Sequence, residues 1–414
     1  MSEVTSNFPQ LRFPDFDDKW EEKRLSDIAE KSNVKNRDNE VSSVFTNSAT
    51  KGVVNQRDFF DKDIVNQNNL DGYYIINHDN FVYNPRISFS APVGPLNRNH
   101  LGTGVMSPLY TILKINNVSL DFIERYFKTT KWHRYMNNIA NIGARHDRMN
   151  IISSDFMKMP IPLPKDEEQQ KIAASLAAVD NKIEQLSKKQ ELLGEYKKGL
   201  MQQIFSQEIR FKADDGSDFP DWEEKKLGNI SNVSKLAGYE FTKYIKYQDT
   251  GSIIALRGLN IKKNKLDLSV VKFIDNSDFS RLNRSKLFID DLMFTYIGTI
   301  GEVALIDEDD KYYLAPNVSR IRFNNEVCLP RFAIQYFNRE VFKQGEIKKY
   351  VSSSSQPALT MGNVRLFILN LPTKPEQQKI ANFLSSIDSK IEQVGEQLDK
   401  SKQFKKALLQ KMFV

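Results

Sequence analysis

The hexapeptide EQQKIA occurs twice in this chain, at 168–173 and again at 376–381. The likeness extends outward, because LPKDEEQQKIAASLAAVDNKIEQL around the first copy aligns with LPTKPEQQKIANFLSSIDSKIEQV around the second. Further along, YKKGLMQQIF (196–205) corresponds to FKKALLQKMF (404–413). A match of this length at one fixed offset indicates an internal duplication, so the chain is constrained to fold as two similar halves.

Each copy has the apolar spacing of a long helix. Apolar residues recur at alternating intervals of three and four, the heptad pattern of a coiled coil, and prolines precede each copy. A core helix of one globular unit is the alternative, but a helix of about 40 residues would be about 60 Å long and its stripe is narrow. We therefore predict that the two helices pack on each other. The predicted packing residues are Ile172, Leu176, Val179 and Ile183 in the first helix and Ile380, Leu384, Ile387 and Ile391 in the second.

A second repeated phrase opens each half. LRFPDFDDKWEEKRL (11–25) corresponds to the slightly longer IRFKADDGSDFPDWEEKKL (209–227), and an unlike region of one-domain size follows each. Short apolar runs between turn residues predict strands there, with few helices, so we predict an α+β fold with two similar mixed α/β domains. The predicted segments are an N-terminal arm and first domain at 1–164, a helix at 165–206, a second arm and domain at 207–372, and a helix at 373–414.

Composition limits the chemistry that the chain can carry. One cysteine, Cys328, and four histidines without ligand spacing predict neither a disulfide nor a metal site. The sequence has no apolar stretch of membrane-spanning length and no signal-peptide pattern, so we expect a cytoplasmic protein. The net charge of +6 favours a polyanionic partner only mildly.

The sequence contains no catalytic motif of the common kinds. It lacks a G-x-x-x-x-G-K-[ST] phosphate loop, H-E-x-x-H, paired C-x-x-C and a G-x-S-x-G elbow. Acidic and lysine residues in the two arms are too close in sequence to come from the separate strands of a metal-dependent nuclease. A solitary methyltransferase would need a glycine-rich cofactor loop, which is not visible. The chain is therefore predicted to be non-catalytic.

The unlike regions instead carry basic and amide residues among turns and aromatic residues. Examples are YNPRISF in the first and ALRGLNIKKNK in the second. Arginine and lysine suit phosphates and guanine edges, while asparagine and glutamine suit adenine edges in the major groove, although a solvated loop has the same composition. The candidates for DNA binding are Arg86, Arg257, Lys262 and Lys263.

The chain has two variable domains, each of which follows a W-E-E-K-x-L arm and ends in L-P-x-x-x-E-Q-Q-K-I-A before a long helix. This organisation resembles the specificity subunit of type I restriction-modification systems. The resemblance covers essentially the whole chain. It depends on the pair WEEKRLSDI and WEEKKLGNI and on the two segments around EQQKIA. It implies two target recognition domains, each reading one half of a bipartite sequence in double-stranded DNA. It also implies that the helices form an antiparallel coiled coil that spaces the half-sites.

The resemblance implies partners and further site residues. Separate modification subunits, expected to be two, would methylate adenine N6 with S-adenosylmethionine, and restriction subunits would use ATP and Mg, so this chain would bind no cofactor and no membrane. DNA-contacting loops are implied at Arg145, His146 and Arg148, and at Ser355 and Gln356. The alternative is a non-catalytic coiled-coil adaptor for protein partners, which would show no affinity for duplex DNA and no salt-dependent binding.

Overall fold

The computed structural model describes residues 8–59, 70–140, 147–351 and 357–414. The chain divides into two compact units. The first comprises Met1–Lys188 with Gly395–Val414, and the second comprises Lys189–Val394. Each unit therefore combines one variable domain with parts of both long helices.

The first half of the chain contains ten strands and six helices in its described residues. They are β1 (Glu21–Arg24), α1 (Leu25–Ile28), β2 (Ala29–Ser32), β3 (Phe45–Ser48), β4 (Gly52–Asn55), α2 (Gln56–Phe59), β5 (Tyr74–Ile76), β6 (Phe81–Tyr83), β7 (Leu96–Arg98), β8 (Gly104–Met106), β9 (Thr111–Ile115), α3 (Leu120–Phe127), α4 (His133–Ile139), α5 (Ser153–Met157), β10 (Pro160–Leu163) and α6 (Asp166–Phe205).

The second half follows with a closely similar order. Its α-helices and strands are β11 (Glu223–Lys226), α7 (Leu227–Ile230), β12 (Ser231–Lys235), α8 (Gly238–Tyr244), β13 (Ile254–Leu256), β14 (Ile261–Lys262), β15 (Lys265–Leu266), β16 (Leu292–Thr295), β17 (Val303–Leu305), β18 (Tyr312–Leu314), β19 (Val318–Phe323), α9 (Pro330–Phe337), α10 (Glu340–Phe342), α11 (Met361–Arg365), β20 (Ile368–Leu371) and α12 (Lys374–Lys411).

The two variable domains share one sheet topology. The first has an antiparallel sheet in the order β2-β9-β6-β7, and the second has the same arrangement in the order β12-β19-β16-β17. The arm pairs with the last strand in the same register in both, with Glu21 opposite Leu163 and Glu223 opposite Leu371. A difference lies beside these sheets, where β5 pairs antiparallel with β8 but β13 pairs parallel with β18. The predicted α+β class with two similar domains is confirmed.

The repeated hexapeptide joins each arm to its helix. In the first unit the Glu168 side chain is buried, accepting hydrogen bonds from Nε and Nη2 of Arg12, both at 2.8 Å, and from Nε1 of Trp20 at 3.4 Å. The neighbouring Gln169 accepts from the backbone N–H of Ser119, at the start of α3, at 3.0 Å. Burial of a carboxylate is favourable only when its charge and lone pairs are matched, which these donors achieve.

The second unit repeats these contacts with its own residues. Glu376 accepts from Nε and Nη2 of Arg210, at 3.2 and 2.9 Å, and from Nε1 of Trp222 at 3.2 Å. Gln377 accepts from the backbone N–H of Leu329, just before α9, at 2.8 Å. The same two side chains are therefore needed at both places, which explains why the hexapeptide is duplicated.

In each unit one long helix runs antiparallel to a segment of the other. In the first unit Asp180, in the N-terminal half of α6, pairs with Lys405 of α12 at 2.5 Å and also with Arg125 of α3. In the second, Asp388, in the N-terminal half of α12, pairs with Lys197 of α6 at 2.7 Å. The predicted antiparallel packing of the two helices is confirmed, and each pair also ties the helices to their variable domain.

The far end of each long helix closes a domain core. Phe413, two residues beyond α12, lies in the first unit against Trp20 and Phe122, with ring centroids 6.3 and 5.1 Å apart. In the second unit Phe205, the last residue of α6, packs in the same manner against Trp222 and Phe332, at 6.1 and 5.7 Å. Edge-on and tilted aromatic contacts of this kind add to the stabilisation from apolar burial.

The eight predicted helix-packing residues differ in what surrounds them. Ile172 and Leu176 are buried in a cluster that includes residues of the first domain and of the end of α12. Ile380 and Leu384 are buried in the corresponding cluster of the second unit. The remaining members are buried or partly buried on the helices: Val179, Ile183, Ile387 and Ile391.

Candidate nucleic-acid interface

The loop after β6 brings together two arginines that are distant in sequence. Backbone hydrogen bonds from Ile87 N to Asp147 O, at 3.0 Å, and from Met149 N to Pro85 O, at 2.8 Å, place Arg86 directly opposite Arg148. The segment 141–146 precedes this junction in sequence and lies outside the described residues, together with the predicted Arg145 and His146.

The charge at this junction is predominantly positive. Asp147 Oδ2 lies 3.9 Å from Nε of Arg86 and 3.9 Å from Nε of Arg148, beyond hydrogen-bond distance in both cases. The Arg86 side chain is 67% exposed. Exposed ion pairs contribute only about 0–1 kcal/mol, so both guanidinium groups remain available to an external phosphate or to a base edge.

The second domain builds the same junction from different residues. Ile297, just after β16, pairs with Ala358, and Leu359 N donates to Tyr296 O at 2.9 Å. The segment 352–356 precedes this junction in sequence, and the predicted Ser355 and Gln356 in it also lie outside the described residues. Where the first domain has two arginines, the second has two apolar residues.

A cavity of about 390 Å³ lies beside this second junction. Its walls combine apolar, aromatic, hydroxyl, amide and cationic side chains: Phe241, Tyr247, Arg257, Gly258, Leu259, Thr295, Ile297, Thr299, Pro316 and Asn317. The Arg257 Nη2 donates to Val270 O at 2.8 Å, whereas its buried Nε has no protein acceptor. Phe241 and Tyr247 meet edge to face at 5.5 Å, and burial raises the pKa of Tyr247. Such a lining suits a planar, partly polar group.

The two predicted lysines of the second domain lie at a separate hairpin. Lys262 and Lys263 lie in the β14–β15 hairpin, and neither lines the cavity. Lys262 Nζ is 2.7 Å from Asp267 Oδ2, and hydrogen bonds from Lys262 and Ser269 lower the pKa of that carboxyl. Lys263 has a positive φ of 49°, and its N–H donates to Glu302 at 2.9 Å. Of these three predicted residues, only Arg257 therefore lines the cavity.

One group of side chains with metal-ligating atoms was missed from the sequence. His78, Asp79 and His100 hold ligand atoms within 4.8 Å of one another, because the β6–β7 pairing brings residues around 79 and 99 together. Arg98 Nη2 already binds Asp79 at 2.6 Å. Burial alone would raise the pKa of Asp79, but the hydrogen bond and charge of Arg98 lower it. A cation would therefore compete with this guanidinium for Asp79.

Within the described residues, none of the helices is both long and apolar enough to cross a membrane.

The family model for the type I restriction modification DNA specificity domain matches this chain twice, at residues 17–193 and 220–400. The chain belongs to this family. It is a non-catalytic DNA specificity subunit, and the comparisons give no support to the protein-binding adaptor alternative. The two matched ranges correspond to the two variable domains with the helix that follows each.

Relatives of the specificity subunit agree with this assignment. The MjaVIII specificity subunit of a type I restriction enzyme from Methanocaldococcus jannaschii is 28% identical over 315 residues, covering 72% of each chain. The S subunit of a type I restriction-modification system from M. genitalium has a TM-score of 0.57 at 15% identity, covering 98% of this chain and 99% of that one. A chain from a structure of the type I R-M system, which concerns complex assembly and conformational transition, has a TM-score of 0.57 at 14% identity. The match covers 95% of this chain and 97% of that one. At these identities the structural likeness concerns the fold alone.

Proposed function

We propose that this specificity subunit reads a bipartite sequence in double-stranded DNA, with one half-site for each variable domain. The observation that carries the proposal is the pair of equivalent junctions after β6 and β16. Both have the same backbone pairing, but one presents Arg86 and Arg148 and the other presents Ile297 and Ala358 beside a cavity. Two domains that share a backbone arrangement but present different side chains can read two different half-sites.

Individual contacts follow from the chemistry of each junction. Arg86 and Arg148 each offer a guanidinium that can bind a phosphate or the O6 and N7 of guanine. Arg257 is the corresponding candidate in the second domain, since its Nε is without a protein acceptor. The segments 141–146 and 352–356 adjoin these junctions in sequence, which supports a DNA-contacting role for Arg145, His146, Ser355 and Gln356.

The partners in this proposal are modification and restriction subunits in the cytoplasm. The duplicated arm-and-helix contacts support two modification subunits, because the same buried frame occurs once in each unit and each frame can support one partner. S-adenosylmethionine would bind to the modification subunits and ATP and Mg to the restriction subunits. The specificity subunit would supply the DNA address and no catalytic group.

Genome-wide mapping of N6-methyladenine tests this function. The chain is co-expressed with its presumed modification subunit, and modified adenines are mapped across the host genome. We expect one split motif with a fixed gap. A soluble complex that leaves no modified motif would contradict the proposal. Loss of duplex binding with rising salt would separate it from the adaptor alternative, which predicts no such binding.

A further inference from the structure

Phe89 lies completely exposed at the tip of a tight turn in the first domain. Its relative exposure is 105%, the highest among the large hydrophobic side chains of the described residues. Two backbone hydrogen bonds close the turn, from Ser88 N to Ala91 O at 3.0 Å and from Ala91 N to Ser88 O at 3.1 Å. Single exposed apolar residues are common on protein surfaces, so the setting of this side chain has to indicate its role.

The base of the same loop is held firmly by the domain. Val93 is fully buried, and its carbonyl accepts a hydrogen bond from the Tyr83 hydroxyl at 2.9 Å. Gly94 has a positive φ of 82°, and a Cβ at this position would lie 2.1 Å from the Asn84 carbonyl oxygen. A larger residue would therefore force the loop open. The phenyl group is thus presented on an anchored support and has no contact with the core.

Positive charge lies at the foot of the turn. Arg86 is three residues before Phe89 in sequence and faces Arg148 across the junction. Guanidinium groups in this position can bind the phosphates on either side of a base step and so direct the turn towards the stacked bases. The turn therefore carries a phenyl group at its tip and begins next to a pair of arginines.

The second domain lacks such a tip at the equivalent place. Its turn after β16 is shorter, since Thr295 N donates to Glu302 O at 3.0 Å. Ile300 in that turn is partly buried and packs against the core of its own unit. At this turn, an exposed aromatic side chain therefore occurs in the first domain and not in the second, so it is not a general product of the shared fold.

We propose that Phe89 is a wedge that inserts between two neighbouring bases of the half-site contacted by the first domain. This inference rests on the proposed function and identifies a DNA-deforming residue within it. Apolar side chains that enter a base step unstack it partially and kink the duplex, and a phenyl ring gains an apolar surrounding by leaving water. Phe89 would thus contribute selectivity for a base step that is easily unstacked.

Fluorescence of 2-aminopurine tests the wedge in the full chain assembled with its modification subunit. The duplex carries the motif found by methylation mapping, and 2-aminopurine replaces one base at a time in the first half-site. Apart from the adenine that the modification subunit flips out for methylation, the wild-type complex should raise the fluorescence at one step. Phe89→Ala should abolish that rise and weaken binding about 5- to 150-fold, the range for loss of one aromatic–base stack. Phe89→Trp should retain the rise.

A matched control comes from the opposite end of the same sheet. Leu101 is 51% exposed and follows β7, whose Arg98 pairs with Phe81 at the end of β6 remote from the wedge. Leu101→Ala should leave both fluorescence and affinity unchanged. This control separates a local wedge from a general effect of removing exposed apolar surface.

Several outcomes would overturn the wedge. If the complex with Phe89→Ala binds DNA and unstacks the base step as the wild type does, the wedge is refuted directly. Failure of Phe89→Ala to copurify with the modification subunit would assign the side chain to a protein interface instead. A wild-type complex that binds its motif without any fluorescence change beyond that of the flipped adenine would refute the wedge and leave the proposed function intact. A wild-type complex without duplex binding would refute both.

Discussion

Replacement of Glu168 by glutamine should destabilise the first unit by about 3 kcal/mol. Glu168 is 1% exposed and accepts two 2.8 Å hydrogen bonds from Arg12, whose side chain is 12% exposed. Glutamine keeps the shape but removes the charge and turns an N–H₂ group towards the guanidinium. Removing one partner of a buried pair costs about 3–5 kcal/mol, and the partial exposure of Arg12 favours the lower end.

Thermal unfolding provides the measurement. A loss of about 3 kcal/mol corresponds to a decrease in Tm of about 6–12 °C for a unit of this size. Calorimetry should assign the shifted transition to the first unit, and tryptophan fluorescence should follow it, because Trp20 and Trp132 lie there and Trp222 lies in the second unit. Glu376→Gln should produce the equivalent shift in the second unit.

Two further variants make this reasoning refutable. Glu167 is the exposed neighbour of Glu168, and Glu167→Gln should change stability by no more than about 0.5 kcal/mol. Arg12→Met combined with Glu168→Gln should cost less than the sum of the single changes, because no uncompensated charge stays buried. Equal effects of Glu167→Gln and Glu168→Gln, or strict additivity in the double variant, would show that the buried pair is not what joins arm and helix.

Three other predictions concern recognition and pH. Arg86→Ala or Arg148→Ala should weaken DNA binding by about 1–3 kcal/mol if the side chain contacts guanine. If it contacts a phosphate, the change should lower by about 1 the slope of log affinity against log salt concentration. Binding titrations at several salt concentrations distinguish these two results, and unchanged binding would exclude both. Arg98 lowers the pKa of Asp79 below its ordinary 3.8, so the charged carboxylate stabilises the fold above about pH 4, and this contribution is lost as the pH falls through the lowered value. The difference in stability between the wild type and Asp79→Asn should therefore shrink in acid. A difference that stays constant with pH would contradict this. Exchange of residues 26–163 for a relative's domain should change one half of the methylated motif, and a change in both halves would refute independent reading.

The sequence alone predicted the features that depend on local order or on repetition. The heptad spacing around Ile172 and Ile380 is a short-range pattern, and it predicted long helices that the structure has at Asp166–Phe205 and Lys374–Lys411. The duplicated phrases predicted two similar domains, because equal arms and helices give each unlike region the same frame. The reason for the duplication was not visible, since Glu168 meets Arg12 only after the arm has paired with the last strand of its domain.

Tertiary structure decided which of the candidate residues lie together. Arg86 and Arg148 became neighbours through backbone pairing across a long sequence separation, while Lys262 lies in a hairpin outside the cavity that Arg257 lines. The exposure of Phe89 likewise follows from an anchored loop base and has no signature in composition. Side-chain periodicity is a property of neighbours in the chain, whereas a recognition surface is assembled from strand register and loop closure, which only the folded domain determines.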